Sequence, residues 1–87
     1  MPFDRSGAAD TINAFIRTKI LRDAGARLTD DSPLLTSGIV DSFALVDFHQ
    51  FLEDTFDVRI PESDFTPDRM NTIDAIVGRV AELVQHQ

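Results

Sequence analysis

Eighty-seven residues with 15 acidic and 8 basic side chains, a net charge of −7 and no cysteine suffice for one small domain, 1–87, since domains typically run to about 100–150 residues. The lack of cysteine excludes a disulfide framework and any thiolate metal site, so stability must come from helix packing. No segment approaches the roughly 18 consecutive apolar residues of a membrane span, and the opening Met1-Pro2-Phe3-Asp4 holds no apolar leader core, so a monomeric cytoplasmic chain without membrane insertion is expected.

The first predicted element is a helix from Asp10 to Ala24. Ile12, Phe15, Ile16 and Ile20 recur at helical spacing, with Arg17, Lys19 and Arg22 outside. Asp10 is its expected cap and Gly25 its expected left-handed end. Residues 1–8 are expected to fray, leaving a folded core over about 9–85. The connection from Gly25 to Asp41 exceeds the roughly 12–15 residues beyond which loops carry function or local structure. Leu28, Leu34, Leu35, Ile39 and Val40 should fold inward and anchor it, with a single helical turn starting at Ser32-Pro33.

Asp41 is a strong N-cap for a second helix over Ser42–Phe56. At 100° per residue Leu45, Phe48, Leu52, Thr55 and Phe56 share one arc, flanked by Ala44 and Phe51 on one edge and His49 on the other. The opposite arc holds Phe43, Val46, Asp47, Gln50, Glu53 and Asp54. Two apolar side chains among carboxylates on an outward face, within about a turn of Ser42, point to contact with another protein. Val58-Arg59-Ile60 is too short for a strand and has no partner, so it reads as loop. Pro61 opens a short helix through Phe65, which Thr66-Pro67 is expected to stop. The last helix starts at Asn71 or Thr72, with Ile73, Ile76, Val77, Val80 and Val84 as its stripe. Gly78 within it costs roughly 1 kcal/mol relative to Ala and is expected to mark close helix packing. The sum is an all-α bundle of three main helices and one short one.

The charge is concentrated. Residues 28–58 carry seven acidic and no basic side chains, against net charges of +2 before them and −2 after them. Such a field repels nucleic acid and anionic lipid and steers basic protein surfaces toward the second helix. Ser42 lies in the first turn of that helix, where unpaired backbone N–H groups are expected to favour a phosphate attached to its hydroxyl. Catalytic machinery is missing. His49 lies seven residues from Ser42, roughly 10 Å along the axis at about 1.5 Å per residue, and His86 sits at the chain's end. The sequence has no glycine-rich phosphate loop, paired-histidine motif or calcium-loop spacing. A hydroxyl and a docking face without catalytic apparatus describe something enzymes act on.

Asp41-Ser42-Phe43, then Leu45-Val46-Asp47-Phe48 and the run Phe51-Leu52-Glu53-Asp54-Thr55-Phe56-Asp57-Val58-Arg59-Ile60-Pro61, resemble the acyl carrier protein family. The resemblance implies the small four-helix acyl-carrier-type bundle. It also implies covalent 4′-phosphopantetheine on Ser42, taken from coenzyme A by a phosphopantetheinyl transferase, and a cargo held as a thioester on the arm. Asp41, Phe43, Val46, Asp47, Gln50, Glu53 and Asp54 then form the face that meets partners: the transferase, an acyl- or aminoacyl-loading ligase, and a downstream synthase or condensation enzyme. Phe43, where leucine is usual, and His49 and Gln50, where aliphatic residues are usual, point to a dedicated carrier. Acyl delivery in lipopeptide or polyketide assembly is the first expectation, and an aminoacyl or D-alanyl carrier of a peptide-synthetase or cell-wall pathway the alternative. An unmodified acidic interaction module is the competing class.

Overall fold

Asp4, six residues earlier than expected, starts the first helix. Its Oδ1 accepts a hydrogen bond from the Gly7 amide at 3.0 Å. In the computed structural model, which describes residues 3–85, α1 spans Arg5–Phe15 and continues as a π-helical turn over Ile16–Ile20. Arg5–Ala8 are thus helical where fraying was expected; Met1 and Pro2 lie outside the described residues. The apolar stripe gains a turn through Ala8, which is buried with Ile12 and Ile16. A small side chain contributes little to a hydrophobic pattern, yet it lets the last helix, α4 over Ile73–Gln85, approach. Nor does Gly25 end the helix. Arg22 takes the left-handed conformation (φ 54°), and the Asp23 amide reaches back to the Arg17 carbonyl at 2.8 Å, one residue further than in a Schellman ending because the last turn is π-helical. The Arg17 guanidinium donates to Asn13 Oδ1 and to the Ala24 carbonyl, fastening the exit.

The connection that follows is anchored, as its apolar residues require. Leu34 and Val40 are buried, with Leu28, Leu35 and Ile39 packed against the core. Ser32-Pro33 starts no helical turn; a turn closes instead between Leu35 and Gly38, whose φ is +82°. The clamp is Asn71. Its carbonyl accepts from Leu34 N–H at 2.6 Å, and its side-chain Oδ1 accepts from Leu35 and Thr36 N–H at 2.9 and 3.1 Å.

Helix α2 spans Ser42–Phe56 and ends on Asp57, again left-handed (φ 53°). Phe48 and Leu52 are fully buried, and Leu45, Ala44, Phe51 and Phe56 half-buried, as the wheel predicts. Thr55 is the exception: it is exposed, since the core does not reach the edge of the arc in the last turn. Phe15 stacks on Phe51 with ring centroids 3.9 Å apart, joining α1 to α2.

After Pro61 a 3-10 turn forms over Glu62–Asp64. Thr66-Pro67 then opens a helix where it was expected to stop one: α3 spans Pro67–Met70, with Thr66 at the cap position and proline in the first turn, where its missing N–H costs nothing. Asp64, 2% exposed, accepts from Arg69 Nη1 at 3.1 Å and from Arg79 Nε at 2.8 Å. That pair ties the 62–70 stretch to α4, Ile73–Gln85. The hydrogen bond to Asp64 raises the Arg79 pKa further above its ordinary value, against the lowering effect of burial. Ile73, Ile76, Val77, Val80 and Ala81 form the buried stripe of α4. Gly78 does not mark a close approach of helices. A Cβ placed there would meet only the end of the Arg5 side chain, at an ordinary 3.6 Å. The described residues form an all-helical bundle of four α-helices with no strand.

Candidate functional site

Ser42 is the first residue of α2, and the loop delivers it on a fixed base. Val40 just before it is buried, and its N–H donates to the Leu34 carbonyl at 3.0 Å. Asp41 caps the helix: one carboxylate oxygen, Oδ1, accepts from the Phe43 and Ala44 amides at 3.1 and 2.8 Å. These are the very amides expected to hold a phosphate, so the helix start is already satisfied by its own cap. Ser42 is exposed, and among the described residues its hydroxyl makes no hydrogen bond. The result is a free, outward hydroxyl on a rigid helix end.

An open trough of about 450 Å³ runs from Ser42 along one side of α2. Leu45, Val46, His49, Gln50 and Glu53 line it at three- and four-residue spacing, which keeps them on one stripe of the helix. Glu62 and Phe65 form the opposite wall. The wall is held in place by a clip on Ile60. The Glu53 carboxylate accepts from the Ile60 N–H at 2.9 Å, and His49 Nε2 lies 2.7 Å from the Ile60 carbonyl. A carbonyl only accepts, so Nε2 carries the proton. The His49 ring also packs on Phe65, centroids 4.6 Å apart.

The outward face matches expectation in its apolar members. Phe43 is 84% and Val46 69% exposed. Asp47, Gln50 and Asp54 are exposed beside them, with the Gln50 amide donating to Asp54 at 2.9 Å. Glu53 departs from the face: it is half-buried and turned toward Ile60, where the wheel had it free. The His49 and Glu53 clip was latent in their four-residue spacing. Glu62 and Phe65 left no such trace, because a loop brings them across from another element. Among the described residues no group of His, Asp and Glu has the arrangement to hold a metal ion, and no helix is long and apolar enough to cross a membrane.

Comparison with known proteins agrees with this picture. A family model described as phosphopantetheine attachment site matches residues 14–80. The D-alanyl carrier protein of Streptococcus sanguinis (strain SK36) is 42% identical over 53 residues, covering 61% of this chain and 67% of its own length. That of Streptococcus pyogenes serotype M1 is 41% identical over 56 residues, covering 64% and 70%. Among solved structures, a chain described as "Crystal structure of FAD-dependent dehydrogenase" superposes with a TM-score of 0.70 at 28% identity, over 79% of this chain and 97% of its own. The family match spans most of the chain and includes α2 with the whole trough: the chain belongs to the phosphopantetheine-attachment family of carrier proteins, which bear 4′-phosphopantetheine covalently and carry substrates without converting them.

Proposed function

We propose that Ser42 Oγ is the attachment point of 4′-phosphopantetheine and that this protein carries an aminoacyl group of the D-alanyl kind. The observation that carries the first half is the exposed, unbonded Ser42 hydroxyl on a capped helix start. The residues present fit the group: the hydroxyl is reachable from solvent, and the trough beside it offers a partly apolar wall. Ser42 Oγ forms the new P–O bond as the pyrophosphate bond of coenzyme A breaks and 3′,5′-ADP leaves, its proton going to a base of the separate transferase. When bound, the group supplies a terminal thiol that holds the cargo as a thioester. Asp41 keeps α2 wound to its first residue, and the clamped loop holds Ser42 Oγ toward the transferase.

The relatives named D-alanyl carrier protein favour an aminoacyl cargo over specialised acyl delivery for lipopeptide or polyketide assembly. Transferase and loading ligase dock on Phe43 and Val46, with Asp47, Gln50 and Asp54 at the rim. The test is intact mass after incubation with coenzyme A and a broad-specificity phosphopantetheinyl transferase, followed by a D-alanine-activating ligase with ATP. The parent gains one phosphopantetheine and then one alanyl group, and Ser42→Ala gains neither. A modified Ser42→Ala variant moves the site elsewhere, and loading by fatty acyl but not aminoacyl ligases returns the acyl reading.

A second reading is supported by the match to a chain of an FAD-dependent dehydrogenase structure, nearly all of which this fold covers. In that reading the tethered cargo is presented to a flavoenzyme for oxidation. Anaerobic bleaching of the flavin of such an enzyme by the loaded protein, and not by free cargo, tests it.

A further inference from the structure

The trough changes character along its length. Next to Ser42 its lining is apolar, with Leu45 and Val46 on α2, and Phe65 follows on the opposite wall, packed on the His49 ring. The middle is polar: His49 Nε2 is engaged with the Ile60 carbonyl, and the Gln50 carboxamide, which donates to Asp54, keeps its own oxygen as an acceptor. The far end is acidic, with Glu53 on α2 and Glu62 on the opposite wall. Ser42 and Glu53 are eleven residues apart, about 16 Å at 1.5 Å per residue. A phosphopantetheine arm in extended form is of comparable length, and its chemistry runs in the same order. The gem-dimethyl carbon lies nearest the phosphate, two amides follow, and the cargo comes last.

From this sequence of chemistries we infer that the trough is the resting place of the loaded arm, and that Glu53 and Glu62 at its far end select a cargo bearing a free ammonium group. The inference rests on Ser42 being the attachment point. The Glu62 carboxylate has no partner among the described residues. Glu53 Oε2 accepts from the Ile60 N–H and lies 3.4 Å from His49 Nε2, while the second carboxylate oxygen retains its acceptor capacity. An aminoacyl thioester keeps its α-amino group protonated at neutral pH and finds two carboxylates there. A plain acyl group of the same shape finds only their desolvation.

Two arms that differ in this one group test it. Semisynthetic coenzyme A analogues with nitrogen in place of the sulfur give hydrolysis-resistant alanyl- and isobutyryl-arms, the second replacing the ammonium by a methyl. Each is attached to the nitrogen-15-labelled parent, to Glu62→Gln, and to Glu53→Gln, which keeps an acceptor for Ile60. The alanyl arm is expected to shift the amide resonances of Glu53, Glu62 and Phe65 well beyond the isobutyryl arm. Glu62→Gln should lower the alanyl-specific population about two- to fivefold, the range an exposed ion pair supplies, and added salt should act in the same direction. Equal shifts from both arms, or none beyond Leu45, overturn the inference while leaving the attachment intact. Failure of both analogues to add mass at Ser42 overturns the inference and the attachment together. Thermal unfolding of each variant separates loss of selection from loss of fold.

Discussion

The carboxamide of Asn71 does for the long connection what no regular hydrogen-bond ladder can. It accepts from two successive amides, Leu35 and Thr36, and its Nδ2 donates to Thr36 Oγ1 at 3.2 Å. Five residues after Thr36 the chain must deliver Asp41 and Ser42 at a fixed angle, so the clamp belongs to the site as much as to the fold. Asn71→Ala leaves the two amides without their acceptor and is expected to cost about 1–3 kcal/mol, read as a lower urea midpoint. Hydrogen exchange should quicken at the Leu35 and Thr36 amides. Asn71→Asp keeps the acceptor and should restore most of their protection. Unchanged exchange in Asn71→Ala would mean that the buried Leu34 and Val40 side chains hold the loop unaided. Asp64 is the other residue of this kind. A carboxylate 2% exposed between two arginines links three elements, and its role shows only once the fold brings Arg69 and Arg79 together.

At the scale of elements, α2 was almost fully legible: Asp41 as cap, Ser42 in the first turn, Phe48 and Leu52 inside, Phe43 and Val46 outside. An amphipathic helix of 15 residues repeats its pattern often enough to average out single exceptions such as Thr55. The first helix was less so, since both Asp4 and Asp10 have capping chemistry and only the packing of Ala8 decides between them. A left-handed Arg22 has no signature either, because glycine is the residue that advertises that conformation. Thr66-Pro67 is ambiguous for a plain reason: proline ends a helix behind it and starts one ahead of it. Gly78 was the misleading signal. Since nothing but the Arg5 side chain lies near a Cβ at that position, Gly78→Ala should stabilise α4 by about 0.5–1 kcal/mol through reduced freedom of the unfolded chain. A higher urea midpoint at unchanged m-value is the expected record. Destabilisation would reveal a contact with α1 tighter than the Arg5 side chain allows.

Across the whole molecule, the docking proposed above would divide recognition between charge and apolar surface. The seven acidic residues of 28–58 act at a distance and are screened by salt over about 10 Å at 0.1 M, whereas Phe43 acts only on contact. The two are therefore separable by ionic strength. Against a basic transferase, Asp47→Asn should lower kcat/KM about two- to fivefold in dilute buffer, and the deficit should shrink toward nothing in about 1 M salt, where the screening length falls to roughly 3 Å. Phe43→Ala removes an aromatic side chain whose full burial is worth about 1.5–3 kcal/mol. It should lower kcat/KM about tenfold at every salt concentration, with the fold unaffected because the side chain is 84% exposed in the free protein. The informative comparison is the difference between the two salt profiles. If Phe43→Ala tracked ionic strength as Asp47→Asn does, the ring would act by disturbing the helix start and its neighbouring carboxylates. If neither variant changed the rate, transferase docking would lie off the outward face of α2, and the exposure of Phe43 and Val46 would have to answer to a different partner.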